Sequence, residues 1–202
     1  MNPTHLIKVY YTNIPENGEI SPVYPIERQR EIEACASEKT RREKHYAWKL
    51  LETAIQDFLG CSIREVEFWK SESGKWKSNR VEFSLSHSAN AVAVALSPVP
   101  VGVDIQRLTP LKRTNFFQHI LSKQELERSH ALAENEKTEY LIKKWTEKES
   151  AFKLLDSPGF LSANPPSFSA ITQTQTVAVK NENYALTVAV NTPCAVQFIS
   201  LQ

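Results

Sequence analysis

The chain has 202 residues, 41% of them hydrophobic, which is enough for a real core but short for two full domains, so one domain or two closely joined halves is expected. Lys and Arg number 24 against 23 Asp and Glu, a balance that argues against a general affinity for nucleic acid and leaves only local basic clusters. Cys35, Cys61 and Cys194 are isolated, which favours neither a zinc site nor a disulfide framework; with no apolar leader or spanning run visible, a cytoplasmic protein without membrane attachment is expected.

In chain order, residues 5–12 are rich in Ile, Val and Tyr and read as a strand. A Pro- and Gly-bearing loop follows to Pro25. A helical region then runs over residues 26–36, breaks near Ser37, and resumes over residues 39–59, with Tyr46, Leu50, Ala54 and Phe58 at helical spacing and Gly60 as the stop. The start of that second helix is basic: Lys39, Arg41, Arg42, Lys44 and Lys49. Such a cluster is either a solvated face or a phosphate contact. Residues 63–70 alternate like a strand, and residues 71–79 read as a polar loop. Residues 81–86 and 91–96 are strand-like around a tight segment, His87 to Asn90.

Pro98 and Pro100 mark a boundary, dividing the chain into residues 1–98 and 99–202. A strand is expected over residues 101–105, then helices over 111–120, 122–133 and 136–155, the last ended by Pro158-Gly159. Ser122 with Glu125 three residues later forms a capping-box pattern, with Leu121 and Leu126 placed to staple. Strands are expected over residues 168–171, 176–180, 184–191 and 195–201, with a turn at Asn181-Glu182-Asn183. Strands and helices do not alternate one by one, so the fold class is α+β rather than a doubly wound sheet.

Three stretches could carry chemistry. In Val101-Gly102-Val103-Asp104-Ile105-Gln106, the β-branched residues face one way and Gly102, Asp104 and Gln106 the other. The glycine leaves space beside the acid, which suits a carboxylate holding a hard cation; taken alone, the pattern reads first as a solvent-exposed acid. In Phe83-Ser84-Leu85-Ser86-His87-Ser88, adjacent serine and histidine point to opposite faces of a strand, and no G-x-S-x-G elbow is present, so a nucleophile is rejected. Anion binding or a satisfied turn remains. In the long helix, Leu141, Trp145, Phe152 and Leu155 form an apolar stripe that includes Lys148, with Glu149 and Lys153 one turn apart on its flank. Alone, that pair is a surface salt bridge. Lys148 either lines a site or snorkels past Trp145. The histidines show no metal-ligand spacing, and the common nucleotide loops are absent.

Taken together and in order, F-S-L-S-H-S, V-G-V-D-I-Q and K-K-W-T-E-K-E-S-A-F-K resemble the motifs of the 4′-phosphopantetheinyl transferases, in particular the larger, surfactin-synthetase-activator type. The resemblance spans residues 39–153. It implies two similar α+β halves, each with helices on a small, mostly antiparallel sheet, related by a pseudo-twofold with coenzyme A between them. It also implies the reaction: the phosphopantetheine arm of coenzyme A passes to a serine hydroxyl of an apo acyl or peptidyl carrier protein, with Mg²⁺, releasing adenosine 3′,5′-bisphosphate. A monomer is expected, since two halves in one chain can build the cleft. On this resemblance, Asp104 and Glu149 hold Mg²⁺, Glu149 also serves as base, and Lys153 contacts phosphate. Ser86 and His87 touch the coenzyme A phosphates, Lys75 lies near the nucleotide, and Lys39 and Arg42 fall near the 3′-phosphate contacts. Phosphoryl transfer needs positioning and charge neutralisation above all, which such a set would supply.

Two positions depart from the pattern or carry a second reading. The family's strand motif usually ends in Glu, where this chain has Gln106, so a third metal ligand here is an amide and metal affinity should be weaker. Glu125 aligns with a glutamate that assists the base, yet it is also the capping-box residue. A pseudoenzyme that binds coenzyme A or a carrier without transfer is the alternative reading.

Overall fold

The computed structural model describes residues 5–110, 117–156 and 170–201. Among these are five α-helices and nine strands in small, mostly antiparallel sheets, an α+β fold. A four-stranded sheet has the order β4 (Glu82–Ser88), β5 (Ala91–Ser97), β1 (Leu6–Asn13), β9 (Ala195–Ser200). A three-stranded sheet has the order β6 (Val101–Arg107), β8 (Glu182–Val190), β7 (Ile171–Val179). β9 runs parallel to β1, with Ile7 opposite Val196, so the end of the chain returns to the sheet that the beginning starts. A hairpin of β2 (Phe68–Lys70) and β3 (Trp76–Ser78) stands apart.

β5 organises the core because every one of its residues is buried. Val92, Val94 and Leu96 point to α2 (Glu38–Leu59), meeting Trp48, Leu51 and Ile55. Burying side chains of this size contributes roughly 1.5–3 kcal/mol each. Ala91, Ala93 and Ala95 point the other way, against Val101, Val103 and Ile105 of β6. The small alanine face lets the second sheet pack closely. α2 begins where Ser37 accepts a bond from the Thr40 amide and ends at Gly60, whose φ of 69° is the left-handed cap that glycine tolerates.

Several expected elements differ in detail. Residues 63–70 are a 3₁₀ turn, Ile63–Glu65, followed by the short β2, and the polar stretch after it contains β3. Each of these strands has only three residues, too few for alternation to register. β4 continues through Ser88, leaving only Ala89 and Asn90 as the turn. The two strands expected around residues 168–180 are one, β7, and its hairpin turns at Lys180 (φ 52°) and Asn181 rather than at Asn181-Glu182-Asn183, since Glu182 already pairs with Val179. α1 (Ile26–Glu33) is shorter than expected, and α5 (Glu134–Leu155) begins earlier. Residues 111–116, Pro158-Gly159 and residues 168–169 lie outside the described residues.

The buried face of α5 also differs. Leu141 and Trp145 do lie on an apolar stripe, but they pack with Phe117 and Leu121 beside α3 (Phe117–Ile120) and α4 (Lys123–His130). The face turned to β6 and β8 is Ile142, Thr146, Ser150 and Leu154. Thr146 and Ser150 are fully buried, and Thr146 shares a 2.7 Å hydroxyl contact with Thr187 of β8. Small residues are required there because α5 lies directly on Gly102. A Cβ at Gly102 would stand 1.9 Å from the Ser150 carbonyl oxygen. The space expected beside Asp104 is therefore filled by the α5 backbone, and that close approach carries Glu149 and Lys153 to Asp104.

Candidate functional site

The two sheets meet at a seam built from alternate serines. β4 and β6 are sheet edges, and the outward N–H groups of β6 need acceptors. Val103 N donates to Ser84 Oγ at 3.1 Å, Ile105 N to Ser86 Oγ at 3.2 Å, and Arg107 N to Ser88 Oγ at 3.2 Å. The hydroxyls reach onward. Ser86 Oγ donates to Asp104 Oδ1 at 2.7 Å, and Ser88 Oγ donates to Gln106 Oε1 at 3.0 Å. Ser86 is thus a buried support for Asp104, with its hydroxyl already engaged. His87, one residue on, points to the opposite face of β4.

Asp104 is 2% exposed and is the centre of the cluster. Lys153 Nζ donates to its Oδ1 at 2.8 Å, and also to Ser86 Oγ and the Val103 carbonyl, each at 3.1 Å. Gln106 Nε2 donates to Asp104 Oδ2 at 3.4 Å, so the amide braces the carboxylate from the side away from Lys153. Glu149 faces the same group. Desolvation and then the Asp104 charge push its carboxyl up to about 7, against the opposing pull of Lys153. Two acids this close favour a shared proton or a cation between them. Among the described residues no group of three or more His, Cys, Asp or Glu is placed to hold a metal. Two carboxylates nevertheless fit Mg²⁺, which keeps most of its waters.

The hairpin loop fixes the far end of Lys153. Lys75 Nζ donates to the Lys153 carbonyl at 2.7 Å and to the Val101 carbonyl at 3.2 Å, tying the β2–β3 hairpin to α5 and β6. Desolvation, then Lys77, lowers its ammonium to about 8. Ser71 and Ser73 both donate to Asp156 Oδ1, just beyond the end of α5.

From this cluster a cavity of about 370 Å³ extends toward α1 and α2, lined by Lys153, His87, Lys75, Lys44, Arg28 and Glu31 among others. His87 is lowered to about 4, by desolvation first and then by Lys153. Its Nδ1 lies 3.4 Å from Glu43, but with the imidazole neutral at pH 7 this contact is not an ion pair. A larger cavity, about 810 Å³, opens between Arg107 and Glu134 and contains none of these groups.

The remaining expected residues lie elsewhere. Lys39 is mostly exposed, 3.8 Å from Glu43. Arg42 donates to the carbonyls of Pro15, Glu16 and Gly18 and pins the loop after β1. Glu125 forms the capping box with Ser122 and also pairs with Lys148 at 3.1 Å, which gives that lysine its place. Arg28 and Glu31 were not visible as site residues. They sit on α1, which is brought to the cavity by the stacking of Arg28 on Trp48, 4.8 Å from the ring centroid, and by the bonds of Glu31 to Lys44, Lys70 and Trp76. A basic residue three before an acid on a short helix carries no signal of its own.

Residues 100–193 match the family model of the 4′-phosphopantetheinyl transferase superfamily, a little under half of the chain. The match includes Asp104, Gln106, Glu149 and Lys153, while β4, the hairpin and the basic helices lie before it. No curated protein matches the chain. The superfamily match supports a transferase that moves phosphopantetheine, with coenzyme A and carrier proteins as the family's reactants. No described helix is long and apolar enough to cross a membrane.

Proposed function

We propose that this protein transfers the 4′-phosphopantetheine group of coenzyme A to a serine of an apo acyl or peptidyl carrier protein, in a Mg²⁺-dependent reaction, as a cytoplasmic monomer. The two sheets with their 22-residue helices α2 and α5 would be pseudo-twofold halves, residues 1–98 and 99–202, with β9 exchanged between them. The observation that carries the reading is the convergence of Asp104, Glu149 and Lys153 at the end of a cavity lined by basic groups. A diphosphate needs neutralising charge at the cluster, and the rest of an anionic ligand needs it along the cavity.

Asp104 and Glu149 would hold Mg²⁺, which would supply positive charge to the diphosphate oxygens. Gln106 would act behind Asp104. The carrier serine oxygen attacks the phosphorus that bears the pantetheine arm. Its proton passes to the Glu149 carboxylate, whose proton affinity is raised by burial and the Asp104 charge and would be lowered by a bound cation. The phosphorus–oxygen bond to the nucleotide phosphate breaks, and adenosine 3′,5′-bisphosphate leaves with the electron pair. Lys153 follows the charge that builds on the phosphate oxygens, while Ser86 holds Asp104, and His87 and Lys75 flank the nucleotide side. Glu125 keeps α4 against α5 through Lys148.

The test is to incubate the protein with coenzyme A, Mg²⁺ and several apo carriers and weigh the products. A phosphopantetheine mass gain is expected on at least one carrier, and Asp104→Ala and Glu149→Ala should reduce the rate by about 10²–10⁴-fold. Full activity in both variants would refute the site. No gain on any carrier would leave a protein that binds without transfer.

A further inference from the structure

Glu31 is one of two acids lining a mostly basic cavity, the other being Asp156 just beyond the end of α5. Its Oε2 accepts from Arg28 at 3.0 Å, Lys70 at 3.1 Å and the Trp76 indole at 2.9 Å, and its Oε1 from Lys44 at 3.3 Å. One carboxylate thus takes donors from α1, α2 and both strands of the hairpin. Arg28 is 5% exposed, and its Nε is buried without a partner. It lines the same cavity as Lys44, Lys75, His87 and Lys153.

If the diphosphate of coenzyme A lies at Lys153, as the proposed function has it, the cavity leads from there to Arg28 and Lys44. The next negative charge on the ligand is the ribose 3′-phosphate, and the basic lining favours that end over the uncharged pantetheine arm. Its arrival there would set a dianion beside the Glu31 carboxylate, whose partners are the donors the phosphate needs. Either those donors leave Glu31, or the two anions share them at close range. Both options cost binding that a cavity without an acid would keep.

We infer that Glu31 is a specificity-determining residue that weakens preference for the 3′-phosphate, so that 3′-dephospho-coenzyme A serves as a donor of comparable efficiency. The inference rests on coenzyme A being the ligand. It reaches beyond the transfer reaction, because it concerns which nucleotide end the cavity selects.

Two measurements test it. Transfer to an apo carrier is followed with coenzyme A and with 3′-dephospho-coenzyme A. Separately, calorimetry compares adenosine 3′,5′-bisphosphate with adenosine 5′-monophosphate. The wild type should show donor kcat/KM values, and nucleotide affinities, within about fivefold of each other. Glu31→Gln keeps an acceptor for Trp76 but removes the charge. It should move both ratios toward the 3′-phosphate by about tenfold, through KM rather than kcat. A wild-type preference for the 3′-phosphate of about a hundredfold overturns the inference, as does an unmoved ratio in the variant. If Glu31→Gln does not fold, the wild-type ratios decide alone. If neither donor is transferred, the proposed function fails while the nucleotide ratio still decides this inference, and failure of both nucleotides to bind refutes it.

Discussion

At the level of single residues, Gln106 is the position where a small change should be most informative. Its amide braces Asp104 and is itself held by Ser88. In Gln106→Glu the nearest donor to Asp104 Oδ2 becomes a third negative charge. Without a cation this raises repulsion, and with one it adds attraction. The Mg²⁺ concentration for half-maximal transfer should therefore fall by about tenfold, while the melting temperature in chelator falls too. An unchanged Mg²⁺ requirement would place residue 106 outside the metal's reach. The same residue shows what sequence reading can and cannot deliver. The motif order brought Asp104, Glu149 and Lys153 forward as one group, and the structure sets them together. It did not reveal that Gln106 is bonded at both ends, because that depends on the serine ladder of a different strand.

At the level of elements, the contact between α5 and β6 decides whether the cluster exists. Gly102 is its fulcrum, since an added Cβ would meet the Ser150 carbonyl at 1.9 Å and the Leu154 amide at 2.7 Å, both of them backbone. Gly102→Ala must push the helix away. It should destabilise the protein by about 3 kcal/mol, read as a lower urea midpoint, and suppress transfer even where the variant stays folded. Gly74→Ala is the control. Its Cβ would meet nothing within 4 Å, and only the positive φ of 85° is strained, so the cost should be about 1 kcal/mol. Equal losses in the two variants would remove the packing argument. This contact also explains why the buried face of α5 differs from the one its hydrophobic spacing predicts. Hydrophobic spacing ranks Trp145 and Phe152 above Thr146 and Ser150, yet only small side chains allow backbone to approach backbone. The strand edges were hidden for a related reason: the stretch holding Ser84, Ser86 and Ser88 reads as an anion site or a satisfied turn, and these serines instead complete the hydrogen bonds of β6.

For the molecule as a whole, Glu31 ties α1, α2 and the β2–β3 hairpin into one body through Arg28, Lys44, Lys70 and Trp76. Burial acts to raise its carboxyl, but the Trp76 bond and the cations outweigh it and hold the group down at about 2, from an ordinary 4.5. A carboxylate depressed in the folded state binds fewer protons folded than unfolded between those two values. Its contribution is therefore complete above about pH 4.5 and is lost as the pH falls through about 2. The side chain is 26% exposed, so solvent reduces the ideal figure, and roughly 2 kcal/mol at pH 6 is expected. Urea unfolding of wild type and Glu31→Gln from pH 6 down to pH 2 measures it. The stability gap between the two should hold steady above pH 4.5 and close toward pH 2, because protonation makes the wild type resemble the variant. A gap that stays constant to pH 2 would mean that Glu31 stabilises by its shape and hydrogen bonds, with no contribution from its charge. Such a result would also weaken its assignment as the anion that competes with a 3′-phosphate, since that competition requires the carboxylate to be charged.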